Sequence, residues 1–283
     1  MKKIGIGTYS FGMDSGLDTA GKLHAAAELG CDTIELLLND LELSDAELRA
    51  ALENAPIQLV SVHAHGQSAE AMRAICARLA PLGLKIAVVP GLSFCDRAET
   101  LDAAALLNEI GRAAAEYGVR VCYHNHTSEF YPDPETGTPL HEILMENTDP
   151  AYVSFQLDVG WATAAGVDVP AYLKKYPGRF ASIHVKECSR VLGTGVPKSA
   201  KEPELGPPKG GFTPEMKAEM RQRTSGQCAM GAKESLVDWK LISATLDELD
   251  PGALWIIERE YDYYPGEMQK CIGEDVKWLK ANL

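Results

Sequence analysis

The 283-residue sequence contains no apolar run long enough to form a membrane-spanning helix, which needs roughly 18 consecutive apolar residues. The segment Met1 to Thr8 leads directly into a strand-like pattern, with neither the apolar core nor the small-residue cleavage site of a signal peptide. The seven cysteines are irregularly spaced and form no CxxC pair, which indicates reduced thiols. We therefore expect a cytoplasmic protein with no membrane partner.

Positive charge is scarce, since 27 lysines and arginines stand against 40 aspartates and glutamates, for a net charge of −13. A protein that binds duplex DNA uses lysine and arginine to neutralise phosphates, so we expect no nucleic-acid partner. Glycine and proline, with 25 and 16 residues, are also too few for a low-complexity chain. The 46% of hydrophobic residues is enough for a sizeable core.

The hydrophobic pattern alternates between short apolar strands and amphipathic helices eight times. The predicted strands are Ile4–Tyr9, Thr33–Leu38, Gln58–His63, Leu84–Val89, Val119–His124, Val153–Asp158, Phe180–Lys186 and Ala253–Glu258. Apolar strands that are each followed by a helix are typical of a parallel sheet covered on both faces, and eight such units close a barrel. A doubly wound open sheet is the alternative, but no GxGxxG follows an early strand. We expect one α/β domain over residues 1–283, a (βα)8 TIM barrel.

Ionisable residues collect where the predicted strands end. They are Glu35, His63 with His65, His124 and His126 with Glu129, Asp158, His184 with Lys186, and Glu258 with Glu260. Residues two apart on a strand point the same way, and the carboxyl ends of parallel barrel strands share one rim. Burying so many ionisable groups costs several kcal/mol each unless they pair or bind a cation. Imidazoles and carboxylates facing one pocket suit Mn²⁺, Zn²⁺ or Co²⁺.

Four segments, in order, carry a resemblance to a known family. Residues 123–130 read YHNHTSEF, residues 157–161 read LDVGW, and residues 257–260 read IERE. Between them, residues 178–187 contain GRF, His184, Lys186 and Glu187, where aspartate is usual in the last position. The chain thus resembles the sugar phosphate isomerase/epimerase family, the xylose isomerase-like barrels. The motifs are specific for the family and for no particular substrate.

The resemblance implies one divalent metal ion (Mn²⁺, Zn²⁺, Co²⁺ or Mg²⁺) held by residues of strands five to eight. Asp158, His184 and Glu258 are then its ligands on the last three of these strands. For strand five we expect Glu129 as the ligand. Many relatives place a glutamate where this sequence has His124, so His124 could ligate in place of Glu129. Glu260 is the alternative ligand for strand eight.

The implied activity is isomerisation, epimerisation or dehydration of a sugar or keto-polyol. It begins with proton abstraction beside a carbonyl and passes through a metal-stabilised enediolate. The expected catalytic residues are Glu129, His124, Glu258 and Lys186. The expected substrate-binding residues are Glu35, His63, His126, Trp161 and Glu260.

Other interpretations stay open at this point. His63 could be an ordinary rim histidine, Glu35 could only orient backbone, and Glu260 could pair with a surface lysine or arginine. A metal-dependent nuclease like endonuclease IV and a non-catalytic sugar-binding barrel are the alternative functions. A homo-oligomer is also an option, because barrels of this family often associate.

A long insertion follows strand seven, where relatives have a short loop. Residues 189–235 carry eight basic and five acidic side chains in a chain that is otherwise acidic. Thr213 and Pro214 predict the start of a short helix with Met216 and Met220 on one face. Because long loops at a catalytic rim commonly act as lids or contact elements, we expect the insertion to cover the substrate or dock on a neighbouring subunit.

Overall fold

The computed structural model describes residues 2–12, 15–64, 68–202 and 226–283. The predicted helix at Thr213 and Pro214 lies outside the described residues, as does His65. None of the described helices is both long enough and apolar enough to cross a membrane. All seven cysteines are free thiols, and six of them are buried.

Eight parallel strands among the described residues close into a barrel in chain order, which confirms the predicted TIM barrel. Gly5 of the first strand lies opposite Thr33 of the second and Ile256 of the eighth, so the sheet closes on itself. Most strand residues are buried, as expected for a parallel sheet covered by helices. The strands are β1 (Ile4–Gly7), β2 (Thr33–Leu37), β3 (Gln58–His63), β4 (Ile86–Val89), β5 (Arg120–His124), β6 (Val153–Asp158), β7 (Phe180–Val185) and β8 (Leu254–Ile257).

Seven of the nine described α-helices begin at a side chain that accepts a hydrogen bond from a free backbone N–H group. Ser44 accepts from the Glu47 N–H and Glu47 reaches back to the Ser44 N–H, which is the capping box that the sequence SDAE of residues 44–47 predicts. The described helices are α1 (Thr19–Glu28), α2 (Asp45–Asn54), α3 (Ala69–Leu79), α4 (Arg97–Ala115), α5 (Leu140–Glu146), α6 (Val159–Ala164), α7 (Val169–Lys175), α8 (Trp239–Leu249) and α9 (Met268–Asn282).

Two helices differ from the sequence-based expectation. The apolar pattern of the sequence predicts a helix over Leu101–Tyr117, but α4 begins at Arg97, because Asp96 caps it by accepting from the Glu99 N–H at 2.9 Å. Helix α6 was not predicted. It starts directly after β6 because Asp158 accepts from the Trp161 N–H at 2.7 Å. The same aspartate that ends a strand therefore also starts a helix.

The described parts of the insertion lie across the carboxyl end of the barrel. We call residues 189–202 the strap. Its Leu192 and Gly193 N–H groups donate to the Ala164 carbonyl at the end of α6, at 2.7 and 3.0 Å. At its far end, Ser199 Oγ donates to Glu99 Oε1 on α4 at 2.5 Å. The strap is thus attached to two different βα units of the rim.

Gly5 offers a test of how tightly β1 is packed between its neighbours. A Cβ at Gly5 would overlap Thr33 Oγ1 and lie 2.6 Å from Ile256 Cδ1. We expect Gly5→Ala to lower the free energy of unfolding by about 1–3 kcal/mol, measured by urea denaturation. Gly252→Ala is the matched control, since a Cβ there meets nothing within 4 Å. Equal effects of the two variants would contradict this description of the barrel.

Candidate active site

Four metal-binding side chains from four consecutive strands meet at the carboxyl-end rim. His124 ends β5, Asp158 ends β6, His184 lies on β7 and Glu258 follows β8. One ligand atom from each lies within 4.8 Å of all the others. Register explains part of this convergence, because Asp158 and His184 are direct neighbours across the β6–β7 pair.

The chemistry of this group fits a divalent cation. Asp158 Oδ1 caps α6, whereas the fully buried Asp158 Oδ2 makes no hydrogen bond with any described residue. It lies 4.0 Å from His184 Nδ1, and His184 Nδ1 in turn contacts Glu258 Oε2. Two imidazoles and two carboxylates form a donor set that suits Mn²⁺, Zn²⁺ or Co²⁺. We call these four residues the metal-site group.

Glu35 orients His184 from below the metal-site group. Its Oε1 accepts from His184 Nε2 at 2.7 Å and lies 3.1 Å from His63 Nε2. Its Oε2 accepts from Ser61 Oγ at 2.6 Å. With Nε2 held by a carboxylate, His184 presents Nδ1 to Asp158 and Glu258, which is the usual support for a metal-binding histidine. Although burial acts to raise the pKa of Glu35, His63 and His184 hold it well below its usual value.

Gln156 joins two histidines of the barrel interior, His63 and His124, to Glu35, and sequence analysis did not single it out. Its Oε1 lies 3.1 Å from His124 Nδ1 and 3.0 Å from His63 Nε2, and its Nε2 donates to Glu35 Oε2 at 2.7 Å. With His124 Nδ1 donating to Gln156, the other ring nitrogen is left for a cation. Gln156 could have been found in the sequence, because it lies two residues before Asp158 on the same strand and therefore points to the same side.

Lys186 is buried beside the metal-site group and pairs with three carboxylates. Its Nζ lies 3.2 Å from Asp158 Oδ2, 3.5 Å from Glu258 Oε1 and 3.0 Å from Glu260 Oε2. Its ammonium is also 4.7 Å from the Trp161 ring centre, and cations are attracted to such aromatic faces. The position therefore favours a charged lysine at neutral pH.

Gly160 accounts for the glycine in the LDVGW segment. A Cβ at Gly160 would lie 2.6 Å from Lys186 Cγ and 2.8 Å from the Lys186 carbonyl oxygen. Only a residue without a side chain lets α6 approach the lysine stem this closely.

Gln227, in the insertion, holds Glu260 in place. Gln227 Nε2 donates to Glu260 Oε2 at 2.7 Å, and Gln227 Oε1 accepts from the Glu260 N–H at 3.3 Å. Sequence analysis missed this residue because no strand or helix pattern marks it. The structure thus connects the insertion to a carboxylate of the candidate site.

The buried charges shift one another's protonation. Burial acts to lower the pKa of His184, but Glu35 and Glu258 outweigh it and raise that pKa to about 10. Burial raises the pKa of Asp158 to about 6, with Lys186 acting in the opposite direction. Burial also acts to raise the pKa of Glu258, yet Lys186 and His184 hold it well below its usual value. The carboxylates of this region therefore depend on nearby positive charge.

Among the described residues Glu129 lies outside the metal-site group, and the expectation that it supplies the strand-five ligand stays a prediction beside its alternative, His124. Its carboxylate accepts from Tyr123 Oη at 3.1 Å, from the His126 N–H at 3.0 Å and from Ser128 Oγ at 3.2 Å. Tyr123 lies on β5, whereas His126 and Ser128 follow that strand, and together they hold the buried Glu129 side chain on the short turn Ser128–Phe130. His124, the alternative that the sequence left open, lies in the group instead.

A cavity of about 260 Å³ opens beside the metal-site group. The predicted residues that line it are Glu35, His63, His124, His126, His184, Glu258 and Glu260. Trp161 and Lys186 lie behind this lining and contact each other. The His126 ring lies 5.0 Å from that of His124, and its Nδ1 is 3.8 Å from Glu129 Oε1. Ionisable groups therefore surround a space large enough for a small polar molecule.

Comparison with known proteins identifies the family. A family model described as xylose isomerase-like TIM barrel matches residues 23–282. The chain therefore belongs to the xylose isomerase-like TIM barrel family.

One relative that is similar in sequence is an enzyme. An inosose dehydratase of Halalkalibacterium halodurans is 29% identical over 171 residues, which is 54% of this chain. The chain spans about half of that protein's length, 52%.

Two solved structures share the fold. A sugar phosphate isomerase/epimerase from Parabacteroides distasonis superposes with a TM-score of 0.75 at 21% identity, covering 99% of this chain and 94% of that one. The IOLI protein with a bound zinc atom superposes with a TM-score of 0.67 at 15% identity, covering 99% of this chain and 97% of the other.

The hydrogen bonds of Gln156 make it a test of the interior network. Gln156→Leu keeps the size of the side chain but leaves Glu35, His124 and Ser182 each without one partner. We expect a loss of about 3 kcal/mol in the free energy of unfolding, measured by chemical denaturation.

The matched control for that variant is Gln58→Leu, at the exposed start of β3. It should change stability by less than about 0.5 kcal/mol. If Gln156→Leu proved as mild as the control, the network would not be the support that its distances indicate.

Proposed function

We propose that this protein is a divalent-metal-dependent enzyme that removes a proton beside the carbonyl of a sugar or keto-polyol. The outcome is isomerisation, epimerisation or dehydration. The observation that carries the proposal is the metal-site group, with four ligand atoms within 4.8 Å beside a polar cavity. The likeness to an inosose dehydratase and the zinc bound by the similarly folded IOLI protein support it.

His124, Asp158, His184 and Glu258 would hold the cation. When bound, a divalent ion supplies Lewis acidity that stabilises negative charge developing on a substrate oxygen. Its charge also offsets the surplus of carboxylates, because those of Asp158, Glu258 and Glu260 all crowd around the one ammonium of Lys186. This is the arrangement in which several buried carboxylates are tolerated.

Glu260 is the residue that we assign to proton removal. It lines the cavity, its carboxylate is 16% exposed, and both Gln227 and Lys186 fix its position. The other cavity carboxylates have different tasks, since Glu258 belongs to the metal-site group and Glu35 holds His184 and His63. Lys186 Nζ and Gln227 Nε2 both contact Glu260 Oε2, so this carboxylate is held in a fixed position at the cavity.

His126 is the second group that can transfer a proton, because it lines the same cavity with Glu129 behind it. In a dehydration, the C–H bond beside the carbonyl and the C–O bond of the neighbouring hydroxyl both break. A carbon–carbon double bond forms, and the departing hydroxyl takes up a proton to leave as water. Return of the proton to carbon instead gives isomerisation or epimerisation.

The remaining assignments follow the sequence expectations. We propose a single barrel domain over residues 1–283, a cytoplasmic location, and a small sugar-like molecule rather than nucleic acid as the partner. The seven free thiols and the acidic net charge of −13 support these assignments.

Metal content separates the two candidate ligands of β5. We expect about one Mn, Zn, Co or Fe per chain in protein purified without chelator, measured by elemental mass spectrometry. Asp158→Ala and His124→Ala should lose the metal, because each removes one of four ligands. Glu129→Gln should retain it, because Glu129 bonds to Tyr123 and His126 instead.

Asp247→Ala, at an exposed position of α8, is the control and should retain the metal. Two or three zinc ions per chain would favour a nuclease like endonuclease IV. No metal even after addition of Mn²⁺ would leave a sugar-binding barrel without this chemistry.

The role of Glu260 is tested by solvent deuterium uptake into a panel of ketoses and keto-polyols, followed by mass spectrometry or NMR. Glu260→Gln keeps the shape but removes the base, so exchange should fall by roughly 100-fold or more while the metal content stays unchanged. Glu267→Gln, on the exposed surface before α9, should exchange at the unaltered rate. Full exchange by Glu260→Gln would assign the proton transfer to another residue.

A further inference from the structure

A second and larger cavity adjoins the one beside the metal-site group. Its volume is about 970 Å³, and His126 lines both cavities. One wall is the chain after β4 with the start of α4, and another is the turn after β5 that carries Ser128 and Glu129. The strap supplies the third wall, from Thr194 to Glu202. We call this space the strap cavity.

The strap is attached at the edge of this cavity by Glu99 of α4. Glu99 Oε1 accepts from Ser199 Oγ, and Glu99 Oε2 accepts from the Ala200 N–H at 3.0 Å. The Cys95 N–H donates to the same carboxylate at 3.2 Å. The buried carboxylate of Glu99 is therefore used to hold the strap, and the strap wall is built into the rim on which the catalytic cavity lies.

The lining of the strap cavity does not suit a phosphate. Its carboxylates, Glu99, Asp102, Glu129 and Glu202, outnumber its lysines, Lys198 and Lys201. Phosphate recognition instead needs a surplus of positive charge or converging N–H groups.

Apolar side chains complete the lining of the strap cavity. Leu92, Phe94 and Leu106 come from the β4–α4 side, and Val196 from the strap. Val196 is 82% exposed, which is unusual for an apolar side chain that lines a cavity. These walls suit an uncharged, partly apolar ring.

The volumes of the two cavities indicate that each holds one part of the substrate. Small-molecule sites usually measure about 300–1,000 Å³, so the catalytic cavity of 260 Å³ has room for little more than one sugar ring. The strap cavity is at the upper end of that range. A group attached to a ring in the catalytic cavity would enter the strap cavity past His126.

We propose that the substrate is a glycoside-like molecule, in which the reacting sugar ring carries a second, uncharged ring that binds in the strap cavity between Val196 and the β4–α4 wall. This inference rests on the proposed function and narrows its substrate class. It also gives the strap, residues 189–202, a task, namely to bind the attached group.

The test compares two uncharged probes that share a sugar ring. Methyl β-glucoside carries only a methyl group, and 4-nitrophenyl β-glucoside carries an aromatic ring. Their dissociation constants are measured by calorimetry on the Mn²⁺-supplemented protein. We expect the aromatic glucoside to bind about tenfold more tightly or better, because the strap cavity buries its ring. Glucose 6-phosphate should gain nothing over methyl β-glucoside.

Two variants fill the strap cavity from opposite sides. Val196→Trp acts from the strap and Ser93→Trp from the chain after β4, and both residues are exposed and line the cavity. Each should reduce the preference for the aromatic glucoside to less than about threefold. Val191→Trp is the matched control, because Val191 is also an exposed strap residue, 59% accessible, outside the cavity lining. It should keep the full preference.

Equal affinity for the two glucosides, no binding of either, or loss of the preference in Val191→Trp as well would overturn the inference. The proposed function is tested separately, by the metal content and by the uptake of solvent deuterium into simple ketoses. A protein that binds its metal and exchanges protons, yet shows no aromatic preference, would retain the proposed function and lose only the glycoside inference.

Discussion

The constraint on which the site depends is the burial of excess negative charge at the mouth of the barrel. Asp158 and Glu258 are brought together with Glu260 around a single buried lysine, Lys186. Buried carboxylates of this kind are costly unless positive charge accompanies them. Even with His184 also facing Asp158 and Glu258, the carboxylates outnumber the positive groups, and Asp158 Oδ2 makes no hydrogen bond with a described residue. The divalent cation that we propose for the metal-site group would remove this imbalance.

The rest of the rim serves to place these charges. Glu35 and Gln156 select the ring nitrogens of His184 and His124 that face the group. Gly160 lets α6 lie against the stem of Lys186, and Gln227 turns Glu260 toward the same ammonium. A functional site needs such support, because side chains that are free to rotate cannot hold a reacting geometry. Polar residues of the barrel interior therefore serve to orient the few side chains of the candidate site.

The barrel was predictable because its signal is repeated eight times along the sequence. Gln58–His63 and Val153–Asp158 were predicted with the bounds that the structure shows. The start of α4 was misplaced because capping by Asp96 extends the helix beyond its apolar stripe. Helix α6 was missed since it is a short segment after a strand, where hydrophobic periodicity has too few residues to show.

The candidate site was predictable to the extent that strand spacing determines it. His184 near the end of β7 and Lys186 just after that strand both lie beside Asp158, as their spacing of two residues predicts. The position of Glu129 could not be derived in this way, because it lies on a turn whose geometry depends on hydrogen bonds to Tyr123 and His126. Gln227 was beyond sequence reasoning for a similar reason, since only the tertiary fold brings it to Glu260.

The most direct test of the central claim is X-ray absorption spectroscopy at the metal edge of the metal-loaded protein. A single cation held by His124, His184, Asp158 and Glu258 predicts a mixed nitrogen and oxygen shell with imidazole scattering from two rings. His124→Ala should reduce the imidazole contribution from two rings to one. Sulfur in the shell, a metal–metal distance, or a shell of oxygen alone would contradict the account.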